Sequence, residues 1–154
     1  MRSFFILLAI QCVRNFLMRY IIAVLAIAGI IVSGLALREH YRTEPAPCAI
    51  NDQWDCGAVN HSPFAVIFNV PVAIIGIAGY LALAMLALMR RRALVLGAAI
   101  IGLAFALRLS YVEAYILETW CIYCVISQTI IAVITLLAAG WTIAGAFRRR
   151  AATA

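Results

Sequence analysis

Four cysteines carry the chemistry this sequence can offer, and they come as two pairs. Cys48 and Cys56 have seven residues between them, and Cys121 and Cys124 form a Cys-x-x-Cys within the stretch ETWCIYCVI, residues 118–126. A Cys-x-x-Cys alone can be redox-active, metal-binding or incidental. Two pairs, one mobile in a loop and one anchored at a helix start, suit a dithiol relay, in which a thiolate attacks one sulfur of a disulfide and each exchange moves two electrons. The competing readings are structural disulfides that staple a loop, and zinc held by all four sulfurs. Zinc fits poorly, because structural zinc sites use closely spaced ligands and the Cys48–Cys56 spacing is loose. His40 and His61 read as solvated loop residues and the fifth cysteine, Cys12, as an incidental thiol, so no metal site is expected.

The elements that must position these thiols are membrane helices. Of 154 residues, 67% are hydrophobic and 12% charged, against roughly half apolar in a soluble domain. A span needs about 20 apolar residues, and four segments approach that: Tyr20 to Leu37, Ala65 to Met89, Ala93 to Leu117 and Trp120 to Phe147. They must be helical, because open strands would leave backbone N–H and C=O groups unpaired in lipid. The expected fold is an all-α membrane protein, a four-helix transmembrane bundle over residues 20–147 with a cysteine-bearing extracytoplasmic loop.

Every basic residue is Arg, and the formal charge is +6. Apart from Arg108, the arginines are placed around the spans, with Arg14 and Arg19 before the first, Arg90 to Arg92 between the second and third and Arg148 to Arg150 after the last, which argues for topology and against a nucleic-acid partner. Three stand at Arg90 to Arg92 and three at Arg148 to Arg150, against Arg38 and Arg42 in the loop after the first span. Both termini are therefore expected in the cytoplasm, residues 148–154 as a short tail, with Cys48, Cys56, Cys121 and Cys124 on the oxidising outer side, where disulfides persist. Residues 1–19 are read as an N-terminal interfacial segment, or as upstream of a true start at Met18.

If Thr119 caps the fourth helix, Cys121 falls in its first turn and Cys124 one turn deeper on the same face. Arg108 and Glu113 lie inside the third span, where ionisable groups are functional suspects by default. Their place in its outer half equally suits snorkelling to the interface, and no simple pair between them is expected from their angular separation. Tyr111 and Tyr115 share a face with Arg108, which suits either a pocket or plain packing. Trp120, Phe64 and Tyr80 fit an aromatic interface belt. The small residues of 97–102 and 138–140 suit close helix packing.

Taken together, the residues resemble the vitamin K epoxide reductase family, specifically its bacterial disulfide-generating quinone reductases. The resemblance covers about 130 residues and rests on Cys48 and Cys56 in the first outer loop, Ser62 six residues after Cys56, Phe64 two further on, Cys121 and Cys124 opening the fourth helix, and Pro71, Gly76, Gly79 and Tyr80 in the second. It implies that Cys48 exchanges with a thioredoxin-like partner, Cys56 passes electrons to Cys121, and Cys124 reacts with a quinone. It also implies that Ser62 and Phe64 lie at the quinone. Val72 stands where relatives often carry Asn, with Asn69 as a stand-in, and Gln128 stands where many carry Tyr.

The implied activity is that of a quinone-dependent thiol oxidase in the bacterial cytoplasmic (inner) membrane. It would use ubiquinone or menaquinone as acceptor and a separate thioredoxin-like periplasmic or extracellular protein as donor, and so support disulfide formation in exported proteins. Two other classes compete: a small four-helix transporter with structural disulfides, in which Glu113 would carry a proton, and a nonenzymatic scaffold.

Overall fold

The computed structural model describes the backbone of residues 2–44, 47–51 and 53–153, and the side chains of 15–44, 47–51 and 53–146. Cys12 and Arg148 to Arg150 lie outside the described side chains. The element order is α1 (Arg2–His40), α2 (Cys56–Asn60), a 3-10 turn (Pro63–Ala65), β1 (Val66–Ile67), β2 (Val70–Pro71), α3 (Val72–Leu88), α4 (Arg92–Val112) continued by a π-turn (Glu113–Leu117), and α5 (Ile122–Thr153). Residues 2–19 continue into the first span without a break.

Among the described residues, three helical stretches are long and apolar enough to cross a membrane: Asn15–His40, Arg92–Leu117 and Ile122–Ala146. The remaining helix, Val72–Leu88, is apolar but has only 17 residues. Together they form the all-α membrane bundle the hydropathy implies.

The second span differs from its expected extent, because residues 65–71 are not helical. Proline lacks the N–H for an i to i−4 bond and clashes with the preceding turn, and two prolines bracket this segment. Pro63 opens the 3-10 turn and Pro71 precedes α3. Between them β1 and β2 pair antiparallel, with Ile67 opposite Val70, and Phe68 and Asn69 turn the chain in the left-handed region (φ 49° and 64°).

In the bundle α1 packs on α3 and α5, α4 packs on α5, and α3 closes against α4. Ile22, Ala26, Leu83, Ala87, Val95, Ala99, Ile134 and Ala138 form the dry centre. Small residues set the approach of α1 to α3: Gly29 faces the Tyr80 ring, and a Cβ at Gly76 would meet Ser33 Oγ at 2.9 Å. The expected small-residue contacts hold only in part. A Cβ on Gly102 would touch Ile131, whereas a Cβ on Gly97 or Gly140 would meet nothing within 4 Å. At the end of the bundle away from the paired cysteines, the Arg92 guanidinium lies 5.2 Å over the Trp141 ring, and Trp141 Nε1 donates to Asn15 Oδ1 at 3.2 Å.

Candidate redox site

The loop after α1 folds back onto the start of α5 through a chain of local bonds. Asn51 Oδ1 accepts the N–H groups of Gln53 and Trp54, both at 3.0 Å, and tightens the turn before Cys56. Trp54 and Trp120 then pair as a parallel bridge. Trp120 N–H donates to Gln53 O at 2.8 Å, and Asp55 N–H donates to Trp120 O at 3.2 Å. The segment just before Cys56 is thereby stitched to the residue just before Cys121. These bonds tie residues 53–55 of the loop to the start of the Cys-x-x-Cys turn, because the backbone groups of two short extended segments satisfy each other.

Asp55 also caps α2, its Oδ1 accepting from Gly57 N–H at 2.8 Å and Ala58 N–H at 3.1 Å. This sets Cys56 as the first helical residue, fully buried and joined by a disulfide to Cys48. Cys48, Cys56, Val59 and Cys121 form one buried cluster, with Leu117, Tyr123 and Cys124 packed against it. Two pairs far apart in the chain thus come together at one end of the bundle.

Cys121 does not sit inside the first turn of the fourth helix as expected with Thr119 as cap. Glu118 turns in the left-handed region (φ 52°), Thr119 N–H donates to Glu113 O at 3.2 Å, and α5 starts only at Ile122. Cys121 itself takes the cap position, its carbonyl accepting Val125 N–H at 3.1 Å. Its own N–H donates to Glu113 Oε2 at 3.1 Å. Asn60 Nδ2 donates to Cys56 O at 2.8 Å and approaches Cys121 Sγ at 3.5 Å. Cys121 and Cys124 are not bonded to each other; their thiols are hydrogen-bonded. That bond from Cys124 holds the Cys121 thiol below its ordinary range, against the opposing effects of burial and of the Glu113 charge.

Beneath Cys124 the bundle encloses a cavity of about 480 Å³ reaching between α1, α3, α4 and α5. Its wall is mainly apolar, with Ser62, Phe64, Tyr80, Ser110, Glu113, Cys124 and Gln128 among its lining residues. Ser62 Oγ is buried and donates to Val59 O at 2.8 Å, which leaves its lone pairs free to accept. Gln128 accepts from Ser110 Oγ through Oε1. The Tyr80 hydroxyl bonds Ser127 O at 2.7 Å and Ser127 Oγ at 2.9 Å.

The structure therefore brings Cys48, Cys56, Cys121, Cys124, Ser62, Phe64 and Gln128 to one end of the bundle, and the last four of these line the cavity. Asn69 is not brought there: it is exposed at the hairpin tip and is absent from the cavity wall. Arg108 is exposed, and Tyr111 and Tyr115 pack on each other at 4.9 Å with both rings exposed, so that face points away from the cavity. Glu113, by contrast, is 2% exposed and bonded to the Cys-x-x-Cys turn, so it does not snorkel. The interface reading rested on depth alone, whereas Glu113 stands about 140° around α4 from the exposed Arg108 and so turns inward. Sequence reasoning missed Asn60, although it lies four residues after Cys56 on the same helical face.

A family model described as "Vitamin K epoxide reductase family" matches residues 20–139. The chain belongs to the vitamin K epoxide reductase family. The matched segment contains both cysteine pairs and every residue of the cavity wall. Membership in the vitamin K epoxide reductase family makes this membrane protein an oxidoreductase. Enzymes of the family use quinones as electron acceptors and generally work with a thioredoxin-like partner. No curated protein matches the chain.

Proposed function

We propose that the protein is a quinone-dependent thiol oxidase of the bacterial inner membrane, passing electrons from a reduced thioredoxin-like protein through its two cysteine pairs to ubiquinone or menaquinone. One observation carries this reading: the Cys48–Cys56 disulfide packs against Cys121, and Cys124, hydrogen-bonded to Cys121, lines a quinone-sized apolar cavity. Ligand sites for small molecules span about 300–1,000 Å³, with apolar walls and few polar groups.

The steps balance as thiol–disulfide exchange followed by quinone reduction. A thiolate of the partner attacks Cys48, the residue of that pair nearer the surface (8% exposed against 0% for Cys56), and Cys56 leaves as a thiolate. The partner's second thiolate then closes its own disulfide and frees Cys48. Cys56 attacks Cys121 of an oxidised Cys121–Cys124 pair and releases Cys124, and Cys48 closes the outer disulfide again. An outer pair oxidised and an inner pair reduced is the state ready to reduce a quinone. Oxidation of the inner pair then returns two electrons and two protons to the quinone as quinol.

Ser62 and Gln128 are the polar groups we assign to the quinone oxygens, and Phe64 to the ring face. The cysteine end is assigned to the outside because Arg19, Arg90 and Arg92 converge around a small cavity at the other end, which the positive-inside tendency puts in the cytoplasm. The test uses purified protein, a reduced thioredoxin-like protein and a ubiquinone or menaquinone analogue, with quinol formation as readout. Wild type should turn over and Cys124→Ala should not. Quinone reduction that persists in Cys124→Ala would refute the mechanism. In a Cys56→Ser variant the lone Cys48 thiolate should attack the disulfide of the oxidised partner and hold it as a mixed disulfide.

A further inference from the structure

We infer that Glu113 is the proton acceptor for the Cys121–Cys124 pair and the donor to the reduced quinone, an inference that rests on the thiol-oxidase reading above. Its carboxylate is 2% exposed, takes part in the cavity wall, accepts the Cys121 N–H at 3.1 Å and is hydrogen-bonded to the Cys124 thiol. A buried carboxylate without compensation is costly. Here its bonds run to two cysteines rather than to a cation, and Arg108, five residues earlier, faces outward. Nothing in the packing of the helices requires an acid at this place. The Cys121 N–H is an orphan donor of the helix start and needs an acceptor, but a neutral amide oxygen would serve it equally.

The chemistry of the inner pair does require a base. Conversion of two thiols and a quinone to a disulfide and a quinol moves two electrons and two protons. As the sulfur electrons of Cys124 go to the quinone, the Glu113 carboxylate takes the Cys124 proton and passes it to a quinol oxygen. Restored as a carboxylate, it takes the Cys121 proton in the same way, and the Cys121 thiolate forms the S–S bond with Cys124. Glu113 ends as it began, and both protons finish on the quinol. Two adjacent anions in a buried site repel, so the carboxylate and the thiolate alternate rather than coexist. Asn60 Nδ2–H, 3.5 Å from Cys121 Sγ, offers a donor to the thiolate when it forms.

The groups that bear on Glu113 are few, which makes its effect separable. The start of α5 brings Cys121, Cys124 and Tyr123; α3 brings Tyr80 to the same cavity; α2 brings the uncharged Asn60. The test compares Glu113→Gln, which keeps an oxygen for the Cys121 N–H, with Glu113→Ala, which does not, in purified full-length protein. Single-turnover quinol formation from the reduced enzyme is followed as a function of pH.

General acid–base catalysis contributes about 10²–10⁴-fold, so Glu113→Gln should slow quinol formation by roughly 100-fold or more. Its rate should rise with pH across the range where wild type is flat, because hydroxide must then supply the base. Reduction of the Cys48–Cys56 disulfide by a small dithiol should be unchanged, which reports that the variant is folded. Quinol formation by Glu113→Gln within about threefold of wild type with the same pH profile, and slowed only in Glu113→Ala, would assign Glu113 a positioning role and overturn the inference. If wild type reduces no quinone at all, the thiol-oxidase reading fails and this one with it.

Discussion

Gly29 and Tyr80 give a quantitative test of how the cavity is held. A methyl group at Gly29 would lie 2.5 Å from Tyr80 Cε1 and 2.6 Å from both Cδ1 and Cζ. Ordinary carbon contacts are about 3.5–4.0 Å, so the ring or the helix must give way by about 1 Å. Tyr80 has little freedom, since its ring is buried between α1 and the cavity and its hydroxyl is tied to Ser127 O and Oγ at 2.7 and 2.9 Å. Overpacking costs about 1–3 kcal/mol, and loss of one hydrogen bond about 1 kcal/mol more. Replacing Gly by Ala inside a helix returns about 1 kcal/mol. Gly29→Ala should therefore destabilise the bundle by about 1–3 kcal/mol.

Gly34 is the control on the same helix, because nothing lies within 4 Å of a Cβ there. Gly34→Ala should be neutral, or stabilising by up to about 1 kcal/mol. Unfolding of both variants in the same detergent micelle measures the difference, and Tyr80→Leu in the Gly29→Ala background should recover part of the loss, as a coupled pair must. Since Tyr80 lines the cavity, Gly29→Ala should also raise the quinone KM. A Gly29→Ala protein as stable as Gly34→Ala would refute the packing argument.

Two further outcomes test the cysteine end. Asp55→Ala removes the cap of α2 and should cost about 1 kcal/mol, while Asp55→Asn should retain most of it; slower re-formation of the outer disulfide after a reductive pulse would report the loosened Cys56. Cys121 is held low mainly by its hydrogen bond from Cys124, so in Cys124→Ala the alkylation midpoint of Cys121 should move up toward the ordinary thiol range, and an unmoved midpoint would remove that hydrogen bond as the cause. The sign for stability follows: between the lowered folded value and the ordinary unfolded one, only the unfolded chain keeps the proton, so this contribution grows as pH rises through that window and is absent below it.

Hydropathy alone determined that this chain is a bundle of membrane helices, because burial of backbone groups in lipid leaves helices as the solution for long apolar runs. The cysteine pairs together with the residues around them pointed to the family and so to redox chemistry, and Ser62, Phe64 and Gln128 could be singled out because they stand at short offsets from cysteines. The tertiary structure decided what depends on phase and on distant segments. Pro63 and Pro71 turned the start of the second span into a hairpin, which carried Asn69 away from the cavity. Backbone bonds from Gln53 and Asp55 to Trp120 tied residues 53–55 of the loop to the start of the Cys-x-x-Cys turn. Glu113, turned away from the exposed Arg108 face of α4, met the Cys-x-x-Cys turn, and Asn60 met Cys121 across 61 residues of chain. Composition and spacing are local sums, whereas which acid meets which thiol depends on helix phase and on the pairing of segments far apart in the chain.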